Sequence, residues 1–575
     1  MTDAPRLDTY WFHERDWDDY DHLLSAFEWE VPERFNMAAY VCDRWADDPD
    51  RVALYAEDDE GRERRYTFRE LRDISNRLAN YLAARGVTAG DRVGVNCPQK
   101  PETVFAHVAA WKLGAVSVPL STLFGPDALS YRLEDSEAVA CVVDAANVDT
   151  LRAVRDDLDA LSTVLTVDCE PEGDEERLWD ALEGHDRAFE TADTDAEDDA
   201  IVIYTSGTTG APKGVVHAHR MLLGHLPLFL TTFCNLAIEE DDVYWTPAEW
   251  AWVASLFDVL FPGLYYGKPV LAYAGGPFDP ETAFSLIEKY GVTNYFAPPT
   301  ALRMMMQVED PGERYDVDTV RVIPSGGESL GQSIVDWAAE TFGGGGSDAA
   351  SDRGSGGVAV HEGYGQTEAN LIVGDCTALA EFREGKMGLR GPGHDVRIVD
   401  PETAEPIDEP DALGEIAVRY EGDPVCFKEY LNRPEKTAAK VRDGWLLTED
   451  LGTVDADGYF TFRGRTDDVI ISAGYRIGPE EIEESLSGHD AVADAAVIGV
   501  PHQERGEVPK AFVVLAPGYE AGDGLREELQ TFVRDRLAQY EYPREVEFID
   551  ELPTTTTGKV RRADLRDREG AEGSA

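Results

Sequence analysis

Between Asp91 and Gly327, short apolar runs alternate with helix-length stretches, and this alternation constrains the fold more than any other feature. The runs "DRVGVNC", "AVACVVDA", "VLTVD", "AIVIYTS", "KPVLAYAG", "VTNYFAPP" and "VRVIPSGG" are near-continuous in apolar residues. That is the pattern of strands buried on both faces. Helix signals lie around and between them. Thr67-Phe-Arg-Glu70 is a capping box, followed by Leu71, Ile74, Leu78 and Leu82 at helical spacing and by a stop at Gly86. "VFAHVAAWKLGAVSVPL" reads as helix, glycine stop and strand. The fold class is α/β, with large, mostly parallel sheets covered by helices on both faces.

From about Gly388 the texture changes. "DVRIVD", "GEIAVRY" and "GYFTFRGR" predict a small β-rich subdomain. After "GRTDDVIISAGYRIGP" comes a compact α/β tail. There Pro479 suits the first turn of a helix carrying Ile482 and Leu486. "DAAVIGV", "KAFVVLA" and "EVEFID" are the strands of this tail, and "LREELQTFVRDRLA" is a helix. The expected domains are 1–466 and 467–575, with the boundary near Arg465–Asp468. "FGGGGSDAASDRGSGG" (342–357) reads as a surface loop without chemistry, and the terminal "REGAEGSA" as an unstructured tail.

A chain of 575 residues exceeds one core. Its 112 acids against 52 bases give a formal net charge of −60, spread along the whole length. Phosphate backbones would be repelled, so nucleic-acid binding is excluded. The distribution fits a surface adapted to a very salty, halophilic cytoplasm. The seven cysteines, with no C-x-x-C pair, argue against a disulfide framework or a zinc site. No run of about eighteen apolar residues is present, so no membrane span is expected, and no secretory signal is visible. A cytoplasmic protein is expected, with oligomerisation open.

One stretch is built for chemistry rather than packing. "YTSGTTGAPKG" (Tyr204–Gly214) follows a buried strand and is rich in glycine and hydroxyls, with one lysine. Glycines let backbone N–H groups approach a phosphate chain, hydroxyls donate hydrogen bonds, and lysine adds a point charge. It does not match the P-loop pattern, because Ala211-Pro212-Lys213-Gly214 follows Gly210.

The stretch resembles the signature of the adenylate-forming superfamily of acyl-CoA synthetases, luciferases and adenylation domains. Further motifs follow in that superfamily's order: "SGGESL" (325–330), "HEGYGQTEAN" (361–370), "WLLTEDLG" (445–452), "GRTDDVIISAGYRIGPEEIE" from Gly464, and "LPTTTTGKVRR" (552–562). Between Asp423 and Ala516 the wording is closest to medium-chain acyl-CoA synthetases. The resemblance implies two half-reactions. A carboxylate attacks the α-phosphate of ATP, giving acyl-AMP and pyrophosphate. CoA then takes the acyl group and AMP leaves.

It also implies roles. Thr205, Ser206, Gly207, Thr208, Thr209, Gly210 and Lys213 hold the β- and γ-phosphates. Thr367 contacts the α-phosphate and Glu368 ligates Mg²⁺. Tyr364 lies against the adenine, with Gly326, Gly327 and Glu328 lining its other side, and Glu362, Gly363, Gly365 and Gln366 also bind ATP. Asp450 accepts the ribose hydroxyls, assisted by Arg465. Lys559 bridges the acid and the α-phosphate as the catalytic lysine. The small domain turns about Asp467, and Ala473, Gly474, Tyr475 and Arg476 then line the pantetheine tunnel. Arg505, Arg534, Tyr540 and Tyr542 contact CoA.

Where acetyl-specific members carry a tryptophan that closes the acyl pocket, this chain has Gly365. With Trp250, Trp252 and Val253 as apolar walls, acids longer than acetate are expected, each buried CH₂ contributing about 0.8 kcal/mol. A short- to medium-chain, straight or branched acid is favoured. A benzoate-like aryl acid, or loading of a separate carrier protein, is the alternative.

Overall fold

A computed structural model describes residues 4–205, 212–327, 330–343, 357–465, 468, 470–472, 475–502, 506–534, 536–537, 542–554 and 560–572. The chain forms two compact units, 1–395 with 419–446, and 396–418 with 447–575.

Among the described residues the first unit holds two large sheets. One has nine strands. Its parallel centre runs Ala359–Gly365, Val322–Gly326, Asn294–Tyr295, Tyr244–Trp245, Val270–Ala274 and Val52–Asp58. The other has eight strands and is parallel except at one edge, where Lys213–Ala218 runs antiparallel to Asp199–Thr205 and Glu429–Tyr430 adds to it. The parallel α/β expectation is therefore met. The helix Phe68–Ala84 begins at the expected capping box: Thr67 Oγ1 accepts from Glu70 N–H, and the Glu70 carboxylate accepts from Thr67 N–H at 2.9 Å. The helix Pro101–Leu113 ends at Gly114, whose φ of +71° suits glycine. Every residue from Pro101 to Lys112 is buried, which explains a helix apolar on all sides. Its one buried ammonium, Lys112, is paired with Asp43.

In the second unit, Val396–Val399 pairs with Gly414–Arg419, and Trp445–Val454 with Phe460–Arg465, as the short apolar runs predict. A further sheet is built on Val492–His502 and Gly506–Leu515, antiparallel, with Glu545–Phe548 parallel to the latter. Ile482, Leu486, Leu529 and Val533 fill its core from the helices Pro479–Ser487 and Asp523–Arg534.

Two expectations need correction. "VTNYFAPP" contributes only Asn294–Tyr295 to a ladder, because Pro299 opens a helix to Met305. The terminal residues are helical to Glu572, in Arg562–Glu572, where Leu565 is buried and Arg566 pairs with Asp468. Residues 344–356 of the glycine-rich segment lie outside the described residues.

Candidate active site

The ends of the Tyr204–Gly214 motif lie on a hairpin. Asp199–Thr205 and Lys213–Ala218 pair antiparallel, with Thr205 opposite Lys213. Both ends are pinned. Tyr131 OH donates to Pro212 O at 2.9 Å, and Tyr204 OH to Asp135 at 2.9 Å. Ser206, Gly207, Thr208, Thr209 and Gly210 lie outside the described residues. The Lys213 ammonium sits over the Tyr430 ring, 4.5 Å from its centroid.

The central motif lies on the neighbouring sheet. Gly326 and Gly363 are register partners at the C-terminal ends of parallel strands, and a Cβ on Gly326 would stand 2.6 Å from Gly363 O. The two glycines leave a bare backbone edge beside half-buried Tyr364. Ligands of open parallel sheets bind at this end of the strands. Glu362 Oε2 accepts from Leu330 N–H at 3.3 Å, and Glu362 N–H donates to Asp375 at 2.9 Å. Burial pushes the Asp375 carboxyl up to about 7. Gly327 is exposed, with φ +93°, and Glu328 lies outside the described residues.

Thr367–Ala369 form a short 3-10 turn, with Gln366 as its N-cap. His217 Nε2 meets Thr367 O at 2.7 Å, and Phe427 N–H donates to Glu368 O at 2.8 Å. Burial drives His217 down to about 3, so the ring is neutral and Nε2–H is the donor to the carbonyl. Glu368 is buried, and Tyr430 OH donates to its Oε1. Asn370 closes the turn with Nδ2 2.8 Å from His225 Nδ1 and 2.6 Å from Asp258 Oδ1. Burial lowers His225 to about 3 and raises Asp258.

Gly365 is exposed, but backbone crowds its Cβ direction. A Cβ there would land on the Asn370 carbonyl oxygen. The cause is a register shift between Tyr364 and Gly365, after which Gln366 N–H closes onto Asn370 O at 3.1 Å. Trp250 and Val253 are buried in the main core, and half-buried Trp252 meets Phe124 edge-on at 6.2 Å. A groove of about 630 Å³ lined by Arg6, Trp11, Trp45, Arg51, Tyr266 and Lys268 opens where the Val52–Asp58 and Val270–Ala274 strands begin. None of the expected site residues borders it.

In the second unit Asp450 and Arg465 are register partners. Arg465 donates to Asp450 Oδ1 at 3.2 Å and to Glu449 Oε2 at 3.1 Å. Asp450 N–H is tied to Thr448 Oγ1 at 3.2 Å. Tyr475–Ile477 pairs with Ile470–Ser472. The Arg534 guanidinium lies 5.4 Å from the Tyr542 ring centroid, so those two are brought together. Asp467, Ala473, Gly474, Arg505, Tyr540 and Lys559 lie outside the described residues. Thr554 and Val560, which flank Lys559, form a bridge.

Residues 42–431 match the AMP-binding enzyme family, and residues 481–559 match the AMP-binding enzyme C-terminal domain. The chain belongs to the AMP-binding enzyme family. Among relatives of this family, the chain is 33% identical to the mouse mitochondrial acyl-coenzyme A synthetase ACSM3 over 563 residues, covering 96% of this chain and 93% of that protein. It is 34% identical to the Bacillus subtilis acetyl-coenzyme A synthetase, covering 95% and 94%. The crystal structure of the anthranilate CoA ligase AuaEII in complex with anthranoyl-AMP superposes with a TM-score of 0.84 at 26% identity, covering 95% of this chain and 99% of that one.

The donor set fits the Mg²⁺ that accompanies ATP in this family. Among the described residues no group of three or more histidine, cysteine or acidic side chains gathers around a metal position. Mg²⁺ with a nucleotide takes one or two carboxylates and completes its shell with phosphates and water. Glu368 would hold it, and the ion would neutralise phosphate charge. Tyr430 and His217 reach the Thr367–Asn370 turn only through tertiary pairing, which no local sequence pattern marks. Asn370 ends the 361–370 motif, but its bonds to His225 and Asp258 are made only in the folded chain.

Proposed function

We propose that this AMP-binding enzyme is an acyl-CoA synthetase acting on a short- to medium-chain or branched aliphatic acid in the cytoplasm. ATP, CoA and a carboxylic acid are its substrates. The acid oxygen attacks the α-phosphorus, the bond to the β-phosphate oxygen breaks, and pyrophosphate leaves. The CoA sulfur then attacks the acyl carbon, its proton passes to solvent, and AMP departs. Such chemistry depends on positioning and charge neutralisation. The observation that carries the reading is the fixed Thr367–Glu368 turn linked through Tyr430 to the lysine closing the glycine-rich loop. Residues 467–575 act as the mobile domain, with Asp467 as hinge and Lys559 as its catalytic lysine. Ala473 to Arg476, Arg505, Arg534, Tyr540 and Tyr542 serve CoA.

The aliphatic assignment is supported by resemblance to medium-chain synthetases. An aromatic acid is the second reading, favoured by the likeness to the anthranilate CoA ligase. The test is a pyrophosphate-release screen in molar KCl over straight, branched and aromatic acids, with and without CoA. Release with aliphatic acids, and acyl-CoA only when CoA is present, is expected. Release only with aromatic acids establishes the second reading, and release with none rejects both.

A further inference from the structure

We infer that Tyr430 is a positioning residue of the adenylation site, holding Glu368 and Lys213 in place before the nucleotide arrives. The inference rests on the proposed role of Glu368 toward Mg²⁺. One ring touches both charges: Lys213 lies over its face and Glu368 accepts from its hydroxyl. The ring itself is fixed. It is 1% exposed, on a strand whose Tyr430 faces Val215 of the Lys213–Ala218 strand. Leu431 N–H to Gly214 O and Lys428 N–H to Val216 O, both 2.8 Å, clamp that edge.

The chemistry explains why a tyrosine stands there. A hydroxyl donating to a carboxylate is a charge-assisted bond, stronger than a neutral one. It orients one carboxylate oxygen, and among the described residues the Glu368 carboxylate has no other hydrogen bond, so Oε2 remains for a cation. The electron-rich ring face attracts the ammonium without neutralising it. The positive charge stays available to phosphate oxygens, and the negative one would hold the divalent ion. Tyr430 therefore stands to the metal site as an outer partner stands to a ligand, a place where substitution costs about 10–100-fold in metal affinity.

The experiment titrates Mn²⁺ into the full-length protein with a non-hydrolysable ATP analogue in molar KCl, reading free Mn²⁺ by electron paramagnetic resonance. Y430F keeps the ring and removes the donor. Its Mn²⁺ midpoint is expected to rise about tenfold or more, with metal-free analogue binding unchanged. Y430L also removes the face and is expected to weaken metal-free analogue binding. In an E368Q background, Y430F is expected to add no further shift. A Y430F midpoint within about twofold of wild type, or a full further shift on E368Q, overturns the inference and leaves Tyr430 a packing residue. Wild-type protein that takes up no Mn²⁺ with the analogue fails at the proposed function itself, a result separable from failure of Tyr430 alone.

Discussion

Lys559 and Gly365 bear the two sharpest expectations for single residues. Lys559→Ala is expected to slow adenylate formation on the order of a hundred- to a thousandfold, the loss typical of one transition-state donor. Thioester formation from supplied acyl-adenylate should survive, and single-turnover assays of the two halves check this. Equal loss in both rejects the role. Gly365 tests a different idea. Because its Cβ direction is occupied by Asn370, Gly365→Ala should push the Thr367–Asn370 turn, cost about 1–3 kcal/mol and lower activity on every acid alike. A changed chain-length preference at unchanged kcat would restore the open-pocket reading. The family resemblance of the 361–370 motif is what assigns Thr367 and Glu368 their proposed roles. It is silent about Asn370 crowding Gly365, because a register shift is a property of the folded ladder.

At the scale of elements, what is legible depends on how local the cause is. The capping box at Thr67, the glycine stop at Gly114 and the proline start at Pro479 act within one turn, and each is where the sequence puts it. The Glu429–Tyr430 strand is two residues long and owes its existence to Lys213–Ala218, more than two hundred positions earlier. No periodicity marks it. The same segment explains a glycine inside the Met221–Leu228 helix. A Cβ on Gly224 would meet the backbone of Val425, 2.6 Å from its Cα. Gly224→Ala is therefore expected to cost about 1–3 kcal/mol through overpacking and to displace the segment leading to Tyr430. Thermal unfolding checks it, and an unchanged melting temperature would show that the helix and the segment separate freely.

For the whole molecule, buried imidazoles set the acid limit. His107, His217, His219 and His225 are lowered from 6.5 to about 3, and His361 to about 4, chiefly by burial. Their stabilising contribution is complete above about 6.5 and is lost as pH falls through the folded values. Asp375, raised from 3.8 to about 7 by burial, acts oppositely: its contribution is complete below its ordinary value and lost as pH rises to about 7. These histidines outnumber the carboxyls that burial raises, Asp375, Asp258, Glu102 and Glu483, so the melting temperature should fall below pH 6.5, and Asp375→Asn should remove part of the opposing slope. A flat profile between pH 6.5 and 4 would contradict this. The net charge of −60 adds a salt dependence. Self-repulsion is screened over about 3 Å at 1 M salt, so the protein should melt higher in molar KCl than in dilute buffer. Equal melting in both would show that the acids do not repel appreciably. The central claim is that a carboxylate attacks the α-phosphorus of ATP, and the direct test follows oxygen. With an ¹⁸O-labelled acid, ATP and CoA, the released AMP should carry one labelled oxygen per acyl-CoA formed. Label in orthophosphate, or unlabelled AMP, would contradict it.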